Sequence, residues 1–367
     1  MTTLQQLLGI ELPLIQAPMA GVQGHALAAA VSSAGGLGSV PAAMLDAESL
    51  RRELSAVAAA TSRPYNVNFF THTPPAPDST REAGWRKALG PYYAEFGIDA
   101  ATIPAGAGRV PFNAAAADIL SDFKPAVVSF HFGLPAPELL ARVRSWGAKV
   151  LASATTVEEA LWLQARGVDA IIAQGLEAGG HRGIFLSDDL TTQVGTFALL
   201  PQIVKAVTIP VIAAGGIADA HGVAAARALG ASGVQAGTAY LLCPEALTSS
   251  VHRAALKSDA ARHTALTDLF TGRPARSIVN RVIREQGAIS AAAPAFPLAT
   301  AAIAPIRSKA EAQGSGDFSP LWSGQNASVC KEIPAAIGHG IGKHGAQFES
   351  APGFLLVADV VVAGILV

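Results

Sequence analysis

The chain has 367 residues, half of them apolar and 14% charged, which suits a large buried core and excludes a disordered chain. Its 26 basic and 27 acidic residues leave no cationic surplus to drive non-specific nucleic-acid binding. Cys243 and Cys330 are the only cysteines, far apart, and no basic segment followed by an apolar run opens the chain, so a soluble cytoplasmic protein with reduced thiols is expected.

Leu-Pro-Leu-Ile-Gln-Ala-Pro-Met (12–19) reads as a short buried strand ending in a proline-stiffened turn, followed by an alanine-rich helix from about His25 to Ala34. Gly35 to Val40 gives a second strand, Ala47 to Ala60 a helix, and Tyr65 to Phe70 a third strand. Thr73-Pro74-Pro75-Ala76-Pro77 then breaks the rhythm, because neither helix nor strand continues through it. The excursion to about Ser121 carries Tyr92 and Tyr93 in a helix and is expected to be a lid or subdomain.

Strand and helix alternate again from Ala126-Val127-Val128-Ser129-Phe130-His131-Phe132-Gly133, with a helix over Pro137–Trp146. Lys149 to Ser153 is a fifth strand, and the helix from Thr156 to Arg166 opens with Thr156 and Glu159 at capping-box spacing. The apolar run Val168–Ala173 is a sixth strand, Ile209 to Ile217 a seventh and Gly233 to Tyr240 an eighth, with helices at Phe197–Val207 and Ala220–Leu229. Eight short apolar strands separated by helices is the count of a closed (β/α)8 barrel. An open doubly wound sheet is the alternative, disfavoured because no Gly-x-Gly-x-x-Gly opens the first helix. The expected organisation is a barrel over 1–244 with an insertion at about 73–121, a helical lid or appendage over 245–330, and an atypical tail, 331–367, loosely attached or disordered. Phe354 to Val367 is apolar but too short to span a membrane.

Catalytic and binding groups of such barrels gather at the carboxyl ends of the strands. Directly after the sixth strand stands Gln174-Gly175-Leu176-Glu177-Ala178-Gly179-Gly180-His181-Arg182-Gly183, whose glycines bare the backbone to a flat or anionic ligand. Strand seven ends in Gly215-Gly216 and strand eight in Gln235-Ala236-Gly237-Thr238, two small-residue turns that can aim N–H groups at a phosphate; tight strand-to-helix packing is the plainer explanation. Asn68 and Gln174 offer the paired donors and acceptors of a pyrimidine-like edge, and Ala17-Pro18-Met19 a shelf for a ring, although buried amides often only tie loops. His131, a lone histidine on an apolar strand, reads more readily as a satisfied core residue than as a substrate ligand. His72, His252 and His263 lack glycine-rich context and read as ordinary. No two histidines share metal-ligand spacing, so no metal is expected.

Taken together, Gln16–Met19, Val67-Asn68-Phe69, Ser129–Gly133, Glu177–His181, Ala213–Ile217 and Gly233–Thr238 resemble, in order, the motifs of the nitronate monooxygenases, formerly called 2-nitropropane dioxygenases. The resemblance covers about residues 5–330. It implies FMN in a barrel with a lid domain and oxidation of alkyl nitronates such as propionate 3-nitronate by O2. On the matching positions it implies FMN contacts from Asn68, Gln174, the Gly179-Gly180 pair, Gly215, Gly216 and Gln235 to Thr238, with His181 catalytic. Lys309, or failing that Arg307, is offered as the cation that attracts an anionic nitronate, against the plainer reading of a solvated surface charge. Expected partners are a small-molecule substrate and O2, without nucleic acid or membrane, and a homodimer is the assembly allowed for. The competing readings are an NAD(P)H-dependent quinone or enoyl-thioester reductase of the same barrel superfamily and a non-catalytic flavin carrier.

Overall fold

The computed structural model describes residues 3–103 and 109–338. In chain order the strands are β1 (Leu14–Gln16), β2 (Gly38–Pro41), β3 (Tyr65–Phe70), β4 (Val127–His131), β5 (Lys149–Ala154), β6 (Ala170–Gln174), β7 (Gly180–His181), β8 (Val211–Ala214), β9 (Gly233–Ala236), β10 (Thr264–Thr267) and β11 (Ala275–Ile278). Eight of them form one parallel sheet in the order β1-β9-β8-β6-β5-β4-β3-β2. Its two ends meet, since Leu37 N donates to Leu14 O and Gln16 N to Leu37 O, each at 2.9 Å. The sheet is therefore a (β/α)8 barrel.

Alternation along the strands sorts the apolar side chains into two layers. Val127, Leu151, Ile172 and Ile212 point inward and share a core with Leu4 and Leu8 of the first helix, Leu4–Leu8. Their neighbours Val128, Val150, Ile171 and Val211 point outward against the helices. Burial on both faces is what a parallel sheet requires, and it explains why these strands read as continuous apolar runs.

Between strands lie the expected helices, several opened by a side-chain cap: Asp46 before Ala47–Ala60, Thr156 before Val157–Ala165 and Asp219 before Ala220–Ala228. The capping box at Thr156 is only half formed. Thr156 Oγ1 accepts from Glu159 N, but the Glu159 carboxylate turns away to Thr155 N and Oγ1 and to the N–H groups of Phe185 and Leu186. It thereby pins the loop that follows β7.

The excursion ends earlier than about 121, because helix Ala114–Phe123 buries Ala117, Ile119 and Leu120 in the barrel layer. Its first part, helix Ser79–Glu95, packs elsewhere. Trp85, Leu89, Tyr92 and Tyr93 share a second core with Phe270, Ile283, Ile303 and Phe318. Trp85 Nε1 donates to Ala299 O at 3.2 Å and Tyr93 OH to Ala302 O at 2.7 Å, which locks that helix to helix Ala299–Ala312. Residues 245–330 are also less helical than expected. Strands β10 and β11 pair antiparallel, and β11 pairs with β7, so His181 lies opposite Ala275. Of the expected tail, residues up to 338 are described and attached: Ala335 is buried in the barrel core and Glu332 pairs with Lys257 and Arg253. The remainder, including Phe354–Val367, lies outside the described residues. Among the described residues no helix is long and apolar enough to cross a membrane.

Candidate active site

The carboxyl ends of the barrel strands open into one cavity of about 180 Å³. A single ordered water needs only about 10–15 Å³ on that measure, so the space is ligand-sized. Of the residues expected at the site, Ala17, Pro18, Met19, Asn68, Gln174, Gly179, Gly180, Gly215, Gly216, Gln235, Gly237 and Thr238 line it, together with His131 and His181. Ala236 does not: its carbonyl accepts from Ala17 N at 2.8 Å and holds the shelf in place. Behind that shelf Gln23 Oε1 accepts from Met19 N and Gln16 Nε2, which stiffens the turn from within the barrel.

One side of the cavity is bare backbone. Gly215 and Gly216 hold φ of 118° and 72°, values that favour glycine, and a Cβ on Gly215 would stand 2.8 Å from Thr196 Oγ1. A Cβ on Gly179 would stand 2.5 Å from Gly324 N. Thr238 Oγ1 accepts from Gly324 N at 2.9 Å, and Asn326 Nδ2 donates to Gly216 O at 3.0 Å. Gly324 and Asn326 thus belong to the same rim, contributed from the far end of the chain. Gln235 Oε1 is buried without a hydrogen-bond partner among the described residues. A buried amide oxygen without a donor is costly, so this atom asks for a ligand that donates to it. Bare glycines at one end and amide groups at the other fit a group that is phosphorylated at one end and flat and polar at the other.

The amides are partly committed already. Gln174 donates through Nε2 to His181 O at 3.0 Å and accepts through Oε1 from Gly183 N at 2.7 Å. Asn68 Nδ2 donates to Ser129 O and Oγ, leaving Oδ1 without a partner among the described residues. Arg182, unremarked in the sequence, is fully buried, and its guanidinium donates to Gly175 O and Gln174 O at 2.7 Å and to Gln193 Oε1 at 3.1 Å. Burial, with the charge of Arg276 nearby, lowers its pKa to about 10. It fixes the loop on which His181 stands.

His181 is enclosed although its neighbours in the chain, Gly180 and Arg182, put no large apolar side chain beside it. Phe70, Phe132, Phe296 and Trp322 surround the ring, with centroids 5.4 to 6.1 Å away. Burial first, then the positive charges of Arg109 and Arg273, push its pKa well below the usual histidine value. His131 is satisfied, as a core histidine would be, yet it also borders the cavity. Its Nε2 lies 3.2 Å from His181 O and its Nδ1 3.0 Å from Ser153 Oγ. A carbonyl only accepts, so Nε2 carries the proton and Nδ1 accepts from the serine. Burial lowers the His131 pKa to about 3 and keeps it neutral.

Lys309 and Arg307 are exposed on helix Ala299–Ala312, outside the cavity lining, and Arg307 pairs with Glu311. The cation that does line the cavity is Arg109, which sequence reading missed because it sits in the excursion without a motif around it. Its guanidinium carbon lies 5.5 Å from the Phe296 ring centroid, and it has no carboxylate partner among the described residues. His72, read as ordinary, is buried against Phe296 with Nε2 3.0 Å from Arg109 O, so it positions that arginine. Among the described residues no cluster of three metal-ligating side chains occurs.

Fold and cavity together define a (β/α)8-barrel enzyme with a cofactor-sized site at the carboxyl rim. The family model for nitronate monooxygenase matches residues 1–337, and the chain belongs to that family. Nitronate monooxygenases of Paraburkholderia phytofirmans and Pseudomonas aeruginosa are 43% and 42% identical to it over 336 residues, covering 90% of this chain and 91% and 95% of theirs. A solved nitroalkane oxidase from Streptomyces ansochromogenes superimposes with a TM-score of 0.86 at 38% identity, over 94% of this chain and 98% of its own. FabK from Thermotoga maritima reaches 0.68 at 26% identity, over 95% and 97%.

Proposed function

We propose that the protein binds FMN non-covalently in this cavity and oxidises alkyl nitronates by O2 to carbonyl compounds and nitrite or nitrate. The observation that carries the reading is His181, held in an aromatic enclosure at the cavity wall beside a rim of bare glycines. Gly215, Gly216, Gly237, Thr238 and Gly324 would hold the phosphate end, and Asn68, Gln235 and the Ala17–Met19 shelf the flat end. FMN is favoured over FAD because the rim offers one phosphate-sized pair of turns and the sequence has no dinucleotide fingerprint. When bound, the flavin supplies the electron acceptor and the route to O2.

The chain's own work is to place the substrate and handle its proton. A nitronate has already lost the proton on carbon and needs only to be held and kept dry. A neutral nitroalkane needs a base, and His181, uncharged at neutral pH, can accept that proton. Phe70, Phe132, Phe296 and Trp322 exclude water around it, and Arg109 supplies positive charge for the anionic substrate. The segments 79–103 and 264–318, which share one core, would act as the cover of the barrel mouth.

The test is steady-state oxidation of nitroethane and of its preformed nitronate by His181→Asn at one pH, with flavin content checked. Loss of about 10²–10⁴-fold on nitroethane with nitronate turnover largely kept is expected. A comparable loss on both substrates at full flavin occupancy would make His181 a positioning group instead. The competing reductase reading predicts bleaching of the bound flavin by NAD(P)H without O2, which the monooxygenase reading does not.

A further inference from the structure

We infer that Thr271 is the residue that orients His181, holding it as the tautomer whose Nδ1 is free to take a proton from substrate. The inference rests on the reading of His181 as proton acceptor and adds how that capacity is set.

His181 Nε2 lies 3.0 Å from Thr271 Oγ1, and the hydroxyl's other partner is Arg273 O at 3.4 Å. A hydroxyl has one proton to give. Arg273 O is a carbonyl and accepts only, and among the described residues it receives no other hydrogen bond. The threonine proton therefore goes to Arg273 O, and the threonine oxygen accepts from Nε2–H of His181. The imidazole is then Nε2-protonated. Its Nδ1 makes no hydrogen bond among the described residues, on a side chain that lines the cavity. The opposite arrangement, with Thr271 donating to Nε2, would break the bond from Thr271 to Arg273 O and turn Nδ1 into an N–H that cannot accept a proton.

The tautomer matters because the ring stays neutral. Burial first, then the charges of Arg109 and Arg273, disfavour the imidazolium, and the His131 and His72 rings that also face it are themselves kept uncharged by burial. A neutral imidazole has one donor and one acceptor nitrogen, so the partner of one decides the chemistry of the other. Thr271 is well placed to decide. It is buried in the turn between β10 and β11, where Thr271 N and Gly272 N both donate to Asp268 O, and Ser290 N donates to Asp268 Oδ1. Thr300 Oγ1 ties down Phe270 O at 3.0 Å. Gly272 packs so closely on Pro294 that a Cβ would stand 2.0 Å from its carbonyl oxygen. The hydroxyl is therefore fixed by the second core and the imidazole by the β7–β11 pairing.

The experiment compares native holoenzyme with Thr271→Val, which keeps the shape, and Thr271→Ser, which keeps the hydroxyl. Histidine nitrogens are isotopically labelled, with His181 assigned by comparison with His181→Asn. NMR of the native protein and the serine variant should show a protonated Nε2 and an unprotonated Nδ1, and the valine variant a mixture. In parallel, kcat/KM for nitroethane should fall about 10–100-fold in Thr271→Val and recover in Thr271→Ser, with preformed nitronate nearly unaffected. A protonated Nδ1 in the native protein, or a valine variant with the native tautomer, overturns the inference. A tautomer that shifts as expected while nitroethane oxidation is unchanged supports the role of Thr271 and refutes His181 as the base.

Discussion

His131 Nε2 stands 3.2 Å from the backbone carbonyl oxygen of His181, so one histidine of the cavity holds the main chain of the other. An imidazolium could make the same bond, which by itself favours the charged ring, but burial outweighs it and keeps His131 neutral down to a pKa of about 3. His252, whose Nε2 meets Trp322 O at 3.1 Å, is likewise lowered by burial, to about 4. In the unfolded chain both would titrate near 6.5. Between about pH 6.5 and 4 the unfolded state thus binds more protons, so stability rises with pH in that window. It is fully present above pH 6.5 and drains away as pH falls, by up to about 1.4 kcal/mol per pH unit for each histidine. Thermal melts of the native protein should show Tm falling from pH 7 to pH 4, and His252→Asn should flatten that slope. A Tm independent of pH over this range would contradict the buried, neutral state.

Arg109, rather than Lys309, should distinguish substrates by charge. Arg109→Met should raise KM for a nitronate that also carries a carboxylate, such as propionate 3-nitronate, by about 10–100-fold relative to an uncharged alkyl nitronate. That is the scale of one hydrogen bond to a charged group, about 1.5–3 kcal/mol. Lys309→Met should leave both KM values near native. Steady-state kinetics on the two substrates checks the pair.

Gly179→Ala should release the flavin without unfolding the barrel. The added methyl would press on Gly324 N and Ser323, main-chain atoms of the rim that cannot swing aside as a side chain could. Flavin absorbance per protein should drop while the thermal transition of flavin-free protein stays near native. Full occupancy in the variant would remove this part of the rim from the cofactor site.

Gln235→Leu tests the unpartnered amide. Removing a buried oxygen that has no donor relieves a desolvation cost, so the flavin-free variant should melt no lower than native. Flavin affinity should fall, by about tenfold for one lost neutral hydrogen bond. A lower melting point with unchanged affinity would assign Gln235 a structural role.

Much of the barrel was legible in the sequence. Helix Ala47–Ala60 and strand Tyr65–Phe70 have their expected bounds, β5 runs one residue further than expected, and the other barrel strands are shorter than the apolar runs that announced them. Runs overstate strands because the barrel ends in turns made of the same small apolar residues, as at Gly215-Gly216-Ile217. The site was legible wherever glycine marks a strand end, because only bare backbone lets a ligand approach so closely. It was illegible where side chains arrive from distant segments. Arg109, Thr271, Trp322, Gly324 and Asn326 carry no local pattern that sets them apart from surface or loop residues. Lys309 likewise carries no local pattern that would tell its exposed position on helix Ala299–Ala312, outside the cavity lining, from a place in the site.

The sequence by itself determined the alternation of strand and helix, the closing count of eight, and the glycines of the rim. These are consequences of local periodicity and of backbone conformations that few residues adopt. Only the tertiary structure decided what surrounds His181. Its strand β7 pairs with β11, about a hundred residues away, and that pairing delivers Thr271 to Nε2 while four aromatic rings from four further segments close around the imidazole. The protonation state of a buried ring depends on desolvation and on charges brought near it in space. Neither is encoded in the residues beside it in the chain.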